Sequence, residues 1–264
     1  MGVLKELKLK DFVTLTGTFC GVTSIFFSVF MQAFRAAGGF LFLGVIMDLL
    51  DGFVARKTNQ INDLGKELDS LSDSLVFGVA PGLLAGAYFS QDSLNSGVSG
   101  ISWAYLLVPV FIFIIGAILR LAWFNIDEGE GYTGLVTPIS AGSVVLYTYV
   151  DYYWSFIPGV GDLLSKIMLI GVIPFLIMIA YFNVSPYLIY GAHIRKKGGI
   201  LKYIFPIIGF MGLAILPLGY DVDKLPTTSI YIIIILGVMW ALLIYYIAYG
   251  FYGYKKEQEQ SEQA

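Results

Sequence analysis

Six carboxylates fall within residues 48–73 of a chain in which only 13% of residues are charged. Four of them are spaced for chemistry. Asp48 and Asp51 are three apart and Asp69 and Asp73 four apart, and both intervals put a pair on one face of a helix. Two like unit charges about 5 Å apart repel by roughly 3 kcal/mol at an effective dielectric of ~20. Four converging carboxylates therefore need protons or cations. Two divalent ions would balance all four charges, and ligation by oxygen alone suits Mg2+ or Mn2+, with Ca2+ as a further fit. Two metals a few ångströms apart stabilise both the attacking and the leaving oxygen in phosphoryl transfer.

The residues around the acids suit a phosphate ligand. Gly52 follows Asp51 directly and lets a ligand approach the backbone. Ala55 lies one turn beyond Asp51, Arg56 brings a fixed cationic fork for phosphate oxygens, and Gly65 clears space one turn before Asp69. Taken singly, each reads as an ordinary residue of a membrane border; the constellation does not. Asp63 and Glu67 fall off the shared face and read as a solvated connection.

The elements that must hold this cluster are membrane helices. The chain has 264 residues, 57% of them hydrophobic, with mean hydropathy +0.77. About 20 apolar residues cross a bilayer, and about eight such runs occur, near 12–31, 37–57, 69–90, 102–124, 135–156, 164–182, 202–219 and 229–252. The expectation is an all-α polytopic membrane protein with a polar site between helices 2 and 3. The short connections leave no room for a separate soluble domain, so residues 1–264 form one membrane domain. Residues 1–11 suggest an amphipathic surface helix, and 255–264 a disordered polar tail. The first apolar run is long and lacks a small-residue cleavage site, so it does not read as a signal peptide.

With eight spans both termini share one side, and 13 of the 16 Lys and Arg fall there; only Arg35, Lys166 and Lys224 face the other. The positive-inside rule then puts the termini and the acidic cluster in the cytoplasm of a multi-pass cell-membrane protein. A single cysteine, Cys20, excludes an intrachain disulfide and reads as a packing residue. The single histidine, His193, lies in a basic loop. One Cys and one His exclude the usual zinc sites, and carboxylates are left to carry any chemistry.

Written out, the pattern is Asp48-x-x-Asp51-Gly52-x-x-Ala55-Arg56, eight residues, then Gly65-x-x-x-Asp69-x-x-x-Asp73. It resembles, position by position, the signature of the CDP-alcohol phosphotransferase family. The runs "LDSLSDSLVFGVAPG", "RLAWFNI", "GYTGLVTPISAG" and "TLTGTFCG" are similar to the phosphatidylserine (or archaetidylserine) synthase branch, over roughly residues 12–145. Gly17 and Trp123 depart from it, standing where that branch usually has Asn and Arg.

The resemblance implies transfer of a phosphatidyl-type group from a CDP-linked lipid, CDP-diacylglycerol or CDP-archaeol, to the hydroxyl of L-serine with release of CMP. It implies two divalent cations on Asp48, Asp51, Asp69 and Asp73, with Asp73 also acting as general base. Gly52, Ala55, Arg56 and Gly65 would take the nucleotide and pyrophosphate, and Arg120 and Asn125 the serine carboxylate or a headgroup phosphate. A homodimer is implied as well, and no nucleic-acid partner is expected. Within the family, glycerol 3-phosphate or an inositol phosphate is the alternative acceptor. From another class, a cation transporter would use the carboxylates as ion ligands, but it gives the Gly, Ala and Arg spacing no purpose. A structural scaffold would tolerate neutralising Asp69 and Asp73.

Overall fold

The computed structural model describes residues 2–58, 63–95, 103–127, 132–157, 161–190, 201–218 and 226–262. His193, the Arg195–Lys197 cluster and Lys224 lie outside the described residues. Among the described residues the regular structure is helical apart from one two-residue ladder. Helix α1 (Leu9–Val29) is followed by α2 (Phe34–Thr58). A continuous helical rod then runs as α3 (Asp63–Asp73), a π-helical segment (Ser74–Val79) and α4 (Ala80–Asn95). Next come α5 (Trp103–Ile126), α6 (Thr137–Trp154), α7 (Gly161–Val184), α8 (Leu201–Leu218) and α9 (Pro226–Glu262).

Among the described residues, six helical stretches are long and apolar enough to cross a membrane, against about eight expected. The difference lies in α6 and α8. Helix α6 is 18 residues long and carries Thr137, Ser140, Ser143, Thr148 and Asp151, all buried. A helix enclosed by other helices need not be apolar all round, so hydropathy understates it. In α8 only Pro206–Ile215 forms an apolar helical stretch. Outside, the apolar faces are bare: Phe12, Phe19 and Phe26 on α1, Phe111 and Ile115 on α5, and Ile234 and Ile244 on α9 are exposed. In water such a surface drives association; in a bilayer it meets lipid.

Small residues let the helices approach, as is usual where no hydrophobic force separates helix from lipid. Val76, in the π-helical segment, sits between Gly21 of α1 and Gly44 of α2. A Cβ on Gly44 would lie 2.8 Å from Val76 Cγ1, and one on Gly21 3.0 Å from Val76 Cγ2. Helix α5 packs on α7 through Gly116, where a Cβ would lie 3.0 Å from the Ala180 carbonyl oxygen. Near the end of α7, β1 (Tyr132–Thr133) pairs antiparallel with β2 (Ile189–Tyr190). Gly134 follows β1 at φ +80°, a left-handed conformation that favours glycine. There its N–H donates to the Leu188 carbonyl at 2.9 Å, while Leu135 N–H donates to Phe182 at 2.8 Å.

Both chain ends differ from expectation. Residues 1–11 are not one amphipathic helix: Val3–Lys5 form a 3-10 turn and α1 begins separately at Leu9. Asp11 caps that start, accepting from Lys8 N–H at 2.7 Å. Nor are residues 255–262 of the expected 255–264 tail disordered, since α9 continues through Glu262; residues 263–264 lie outside the described residues. Glu, Gln and Lys are good helix formers, and extending an existing helix needs no new nucleus.

Candidate active site

The last turns of α2 carry Asp48 and Asp51, and α3 carries Asp69 and Asp73. Carboxylate oxygens of Asp48, Asp51 and Asp69 all lie within 4.8 Å of one another. Asp73 lines a small cavity of about 10 Å³ together with Asp48, Asp51, Thr14 and Ser72. The four aspartates singled out by spacing therefore converge, three in one ligand-sized group and the fourth beside it. Asp51 is buried and the other three are half-buried. Three hard oxygen donors at this separation, partly withdrawn from water, fit a divalent cation.

The π-helical segment starts directly after Asp73. Such segments occur often at functional sites, because the wider turn re-aims the flanking residues. Here it also presses Val76 into the glycine socket of α1 and α2, so the packing of three helices sets where Asp73 stands.

Three neighbours went unremarked at the level of sequence. Thr14 Oγ1 donates to Asp51 Oδ2 at 2.7 Å, orienting that carboxylate. Thr18 Oγ1 donates to Ser72 Oγ at 2.8 Å, tying α1 to α3. Lys10 is buried, 3.0 Å from Asp11, and its charge acts on both Asp51 and Asp69. Thr14 and Thr18 fall inside the "TLTGTFCG" run, which was the available signal. Nothing in the sequence marked Lys10, whose position relative to the acids depends on how α1 crosses α2.

The remaining expected residues are distributed as follows. Arg56 is exposed, and its Nη1 lies 3.3 Å from where a Cβ on Gly52 would stand, so the guanidinium folds back over that glycine. Ala55 is half-buried and Gly65 buried. Asp63 and Glu67 are exposed. Arg120 is buried, with its guanidinium 4.9 Å from the Phe124 ring centroid, and its charge reaches Asp73. Asn125, by contrast, is exposed and donates through Nδ2 to Ser70 Oγ at 2.9 Å. Arg120 lines a cleft of about 470 Å³ with Trp123, Asp127, Thr133 and Asn183, and Asn125 is not among the described residues that line it. Cys20 is buried as a packing residue.

Comparison with known proteins agrees with this geometry. The chain is 34% identical over 155 residues to a CDP-diacylglycerol--serine O-phosphatidyltransferase of Methanocaldococcus jannaschii, covering 59% of this chain and 66% of the relative. It is 38% identical over 166 residues to a protein of the same name from Helicobacter pylori, covering 61% and 66%. An archaetidylserine synthase of Methanothermobacter thermautotrophicus is 34% identical over 151 residues, covering 56% and 60%. The matched stretch spans just under two thirds of each of these relatives' own length. The family model described as CDP-alcohol phosphatidyltransferase matches residues 7–178, more than half of the chain and all four aspartates. The chain belongs to the CDP-alcohol phosphatidyltransferase family.

Proposed function

We propose that the protein transfers a phosphatidyl-type group from CDP-diacylglycerol or CDP-archaeol to the hydroxyl of L-serine and releases CMP. The observation that carries this reading is the convergence of the Asp48, Asp51 and Asp69 oxygens within 4.8 Å, with Asp73 on the same cavity. The names of the relatives supply the acceptor and the lipid.

Two divalent cations, Mg2+ or Mn2+ and held by Asp48, Asp51, Asp69 and Asp73, would offset the charge of the CDP pyrophosphate. Thr14 keeps one Asp51 oxygen turned inward. Gly52 and Ala55 leave the nucleotide room against α2, Gly65 clears the facing side of α3, and Arg56 pairs with phosphate oxygens. Asp73 accepts the serine Oγ proton as the oxygen attacks the lipid-side phosphorus. A new O–P bond forms, the P–O bond to CMP breaks, and CMP leaves with the bonding pair. Proton removal by a placed base contributes about 10²–10⁴-fold to such a step.

In this reading residues 1–264 act as one domain with eight membrane helices, and the four aspartates face the cytoplasm with both termini. Support comes from the asymmetric distribution of Lys and Arg and from the cytosolic supply of serine and of the CDP headgroup. The enzyme is expected to work as a homodimer in the cell membrane.

The test is CMP release by the purified protein from each CDP-lipid with Mn2+ or Mg2+, adding serine, glycerol 3-phosphate or inositol phosphate separately. Serine-dependent release that disappears in Asp73→Asn supports the reading. Release with another acceptor alone overturns the serine assignment. Absence of release with every acceptor and both lipids overturns the reaction.

A further inference from the structure

The cleft lined by Arg120 opens between the C-terminal end of α5, β1 and the C-terminal end of α7. At about 470 Å³ it is in the range of small-molecule sites, about 300–1,000 Å³. Its two buried polar walls are Arg120 and Asn183, which are 5% and 1% exposed. Asn183 is the anomaly. Among the described residues neither its Nδ2 nor its Oδ1 has a hydrogen-bond partner, whereas the large majority of buried polar side-chain atoms have one. The helix itself has no use for the amide, because leucine would fill the same volume without leaving polar atoms unmet.

The backbone around Asn183 is held firmly. Gly134 turns its missing Cβ toward the Asn183 carbonyl oxygen, and the hydrogen bonds from Gly134 and Leu135 to Leu188 and Phe182 bracket the end of α7. The backbone that carries the amide is therefore in place before anything enters the cleft. Preorganisation lowers the ordering cost of binding.

The charges lining the cleft select its ligand. Arg120 brings one guanidinium, Asp127 one carboxylate, Thr133 a hydroxyl and Trp123 an aromatic wall. A guanidinium takes a carboxylate through two parallel hydrogen bonds, and a carboxylate takes an ammonium. A dianionic phosphate ester would meet Asp127 as a like charge. One cation, one anion and an amide that both donates and accepts match a small zwitterion. Arg120 is the residue that relates the cleft to the acidic cluster, since it lines the cleft and its charge acts on Asp73.

We propose that this cleft is the acceptor site and that Asn183 is its specificity-determining amide. Its Nδ2 donates to the carboxylate of an α-amino acid and its Oδ1 accepts from the ammonium, alongside Arg120 and Asp127. This rests on the reading that the acceptor is serine. It replaces Asn125 with Asn183 as the amide partner of Arg120, since Asn125 is turned to Ser70.

The experiment uses the full chain in detergent. Wild-type protein is first shown to release CMP with serine; failure at that step overturns the functional reading itself. Asn183→Leu and Asp127→Asn are then compared with it. In Asn183→Leu the apparent KM for serine should rise at least tenfold, as expected for losing a hydrogen bond to a charged group. The KM for the CDP-lipid and the unfolding temperature without ligand should be unchanged or improved. The rise in unfolding temperature that millimolar serine gives wild type should vanish. Asp127→Asn should also raise the serine KM and let glycerol 3-phosphate compete better. A serine KM within twofold of wild type in Asn183→Leu overturns the proposal. So does a variant that loses stability and raises both KM values together, because the amide would then be structural.

Discussion

Gly44→Ala tests how helix packing sets the carboxylate site. The new Cβ would lie 2.8 Å from Val76 Cγ1, about 1 Å inside an ordinary carbon contact of ~3.5–4.0 Å. Val76 has little freedom to move aside. Its χ1 is stiff because it is β-branched, and its other methyl already faces Gly21, where a Cβ would lie 3.0 Å away. Either α2 or the π-helical segment must shift. Overpacking of this kind costs about 1–3 kcal/mol. Val76 follows Asp73 by three residues, so the shift carries Asp73 with it, and a displacement of ~1 Å at a reacting group costs about 10²-fold in rate. The expected result is a 10- to 100-fold fall in initial CMP release at saturating serine and Mn2+, with lower thermal stability in the same detergent. Adding Val76→Ala removes the clashing methyl and should restore activity to within a few fold. Gly21→Ala supplies the internal control. Its Cβ would also lie 3.2 Å from Val76 Cα, a backbone atom that Val76→Ala leaves in place, so rescue there should be incomplete. Equal rescue of both glycine variants, or rescue of neither, would refute coupling through Val76.

Thr14→Val removes the donor to Asp51 Oδ2; loss of a ligand-orienting partner of this kind weakens metal affinity by about 10–100-fold, so the Mn2+ titration of CMP release should move to higher concentration with little change in stability. Asp73→Asn should lower the rate by at least ~10²-fold while the protein still unfolds at the wild-type temperature. A chelator should abolish release, and excess Mn2+ or Mg2+ should restore it; release that persists in the chelator counts against the metal site. Tyr88→Phe removes the hydroxyl that donates to Asp151 Oδ2 at 2.8 Å. It should destabilise the protein by about 1–3 kcal/mol with an unchanged serine KM, because this buried pair is separate from the acidic cluster.

The aspartates were legible because their spacing is a property of single helices: intervals of three and four residues define a face whatever packs around it. The same holds for Gly52, Ala55 and Arg56, which share α2 with Asp48 and Asp51. Asn183 was not legible. It lies in a run of apolar residues on α7, and it becomes notable only because the bundle buries it beside Arg120, 63 positions earlier in the chain. Lys10 was read as one more basic residue of a cytoplasmic end until the crossing of α1 over α2 put it near two acids. Helix α6 was legible as a helix, but its enclosure was not, since hydropathy counts polar residues against a span without knowing what faces them. Tail residues 255–262 have the composition of a solvated segment, and composition does not register that a helix arrives already formed at Lys255.

Helix α9 runs for 37 residues, about 55 Å at 1.5 Å per residue, whereas the hydrocarbon layer is only ~30 Å thick. Roughly 25 Å of rod is left over, and its polar end, "KKEQEQSE", continues the helix without a break. A soluble domain spliced in frame after Glu262 through a continuous helix would ride on that rod at a defined height and azimuth. That makes the end of α9 a ready mount for a fiducial marker in single-particle imaging, where a chain of 29.1 kDa contributes little mass of its own outside the membrane.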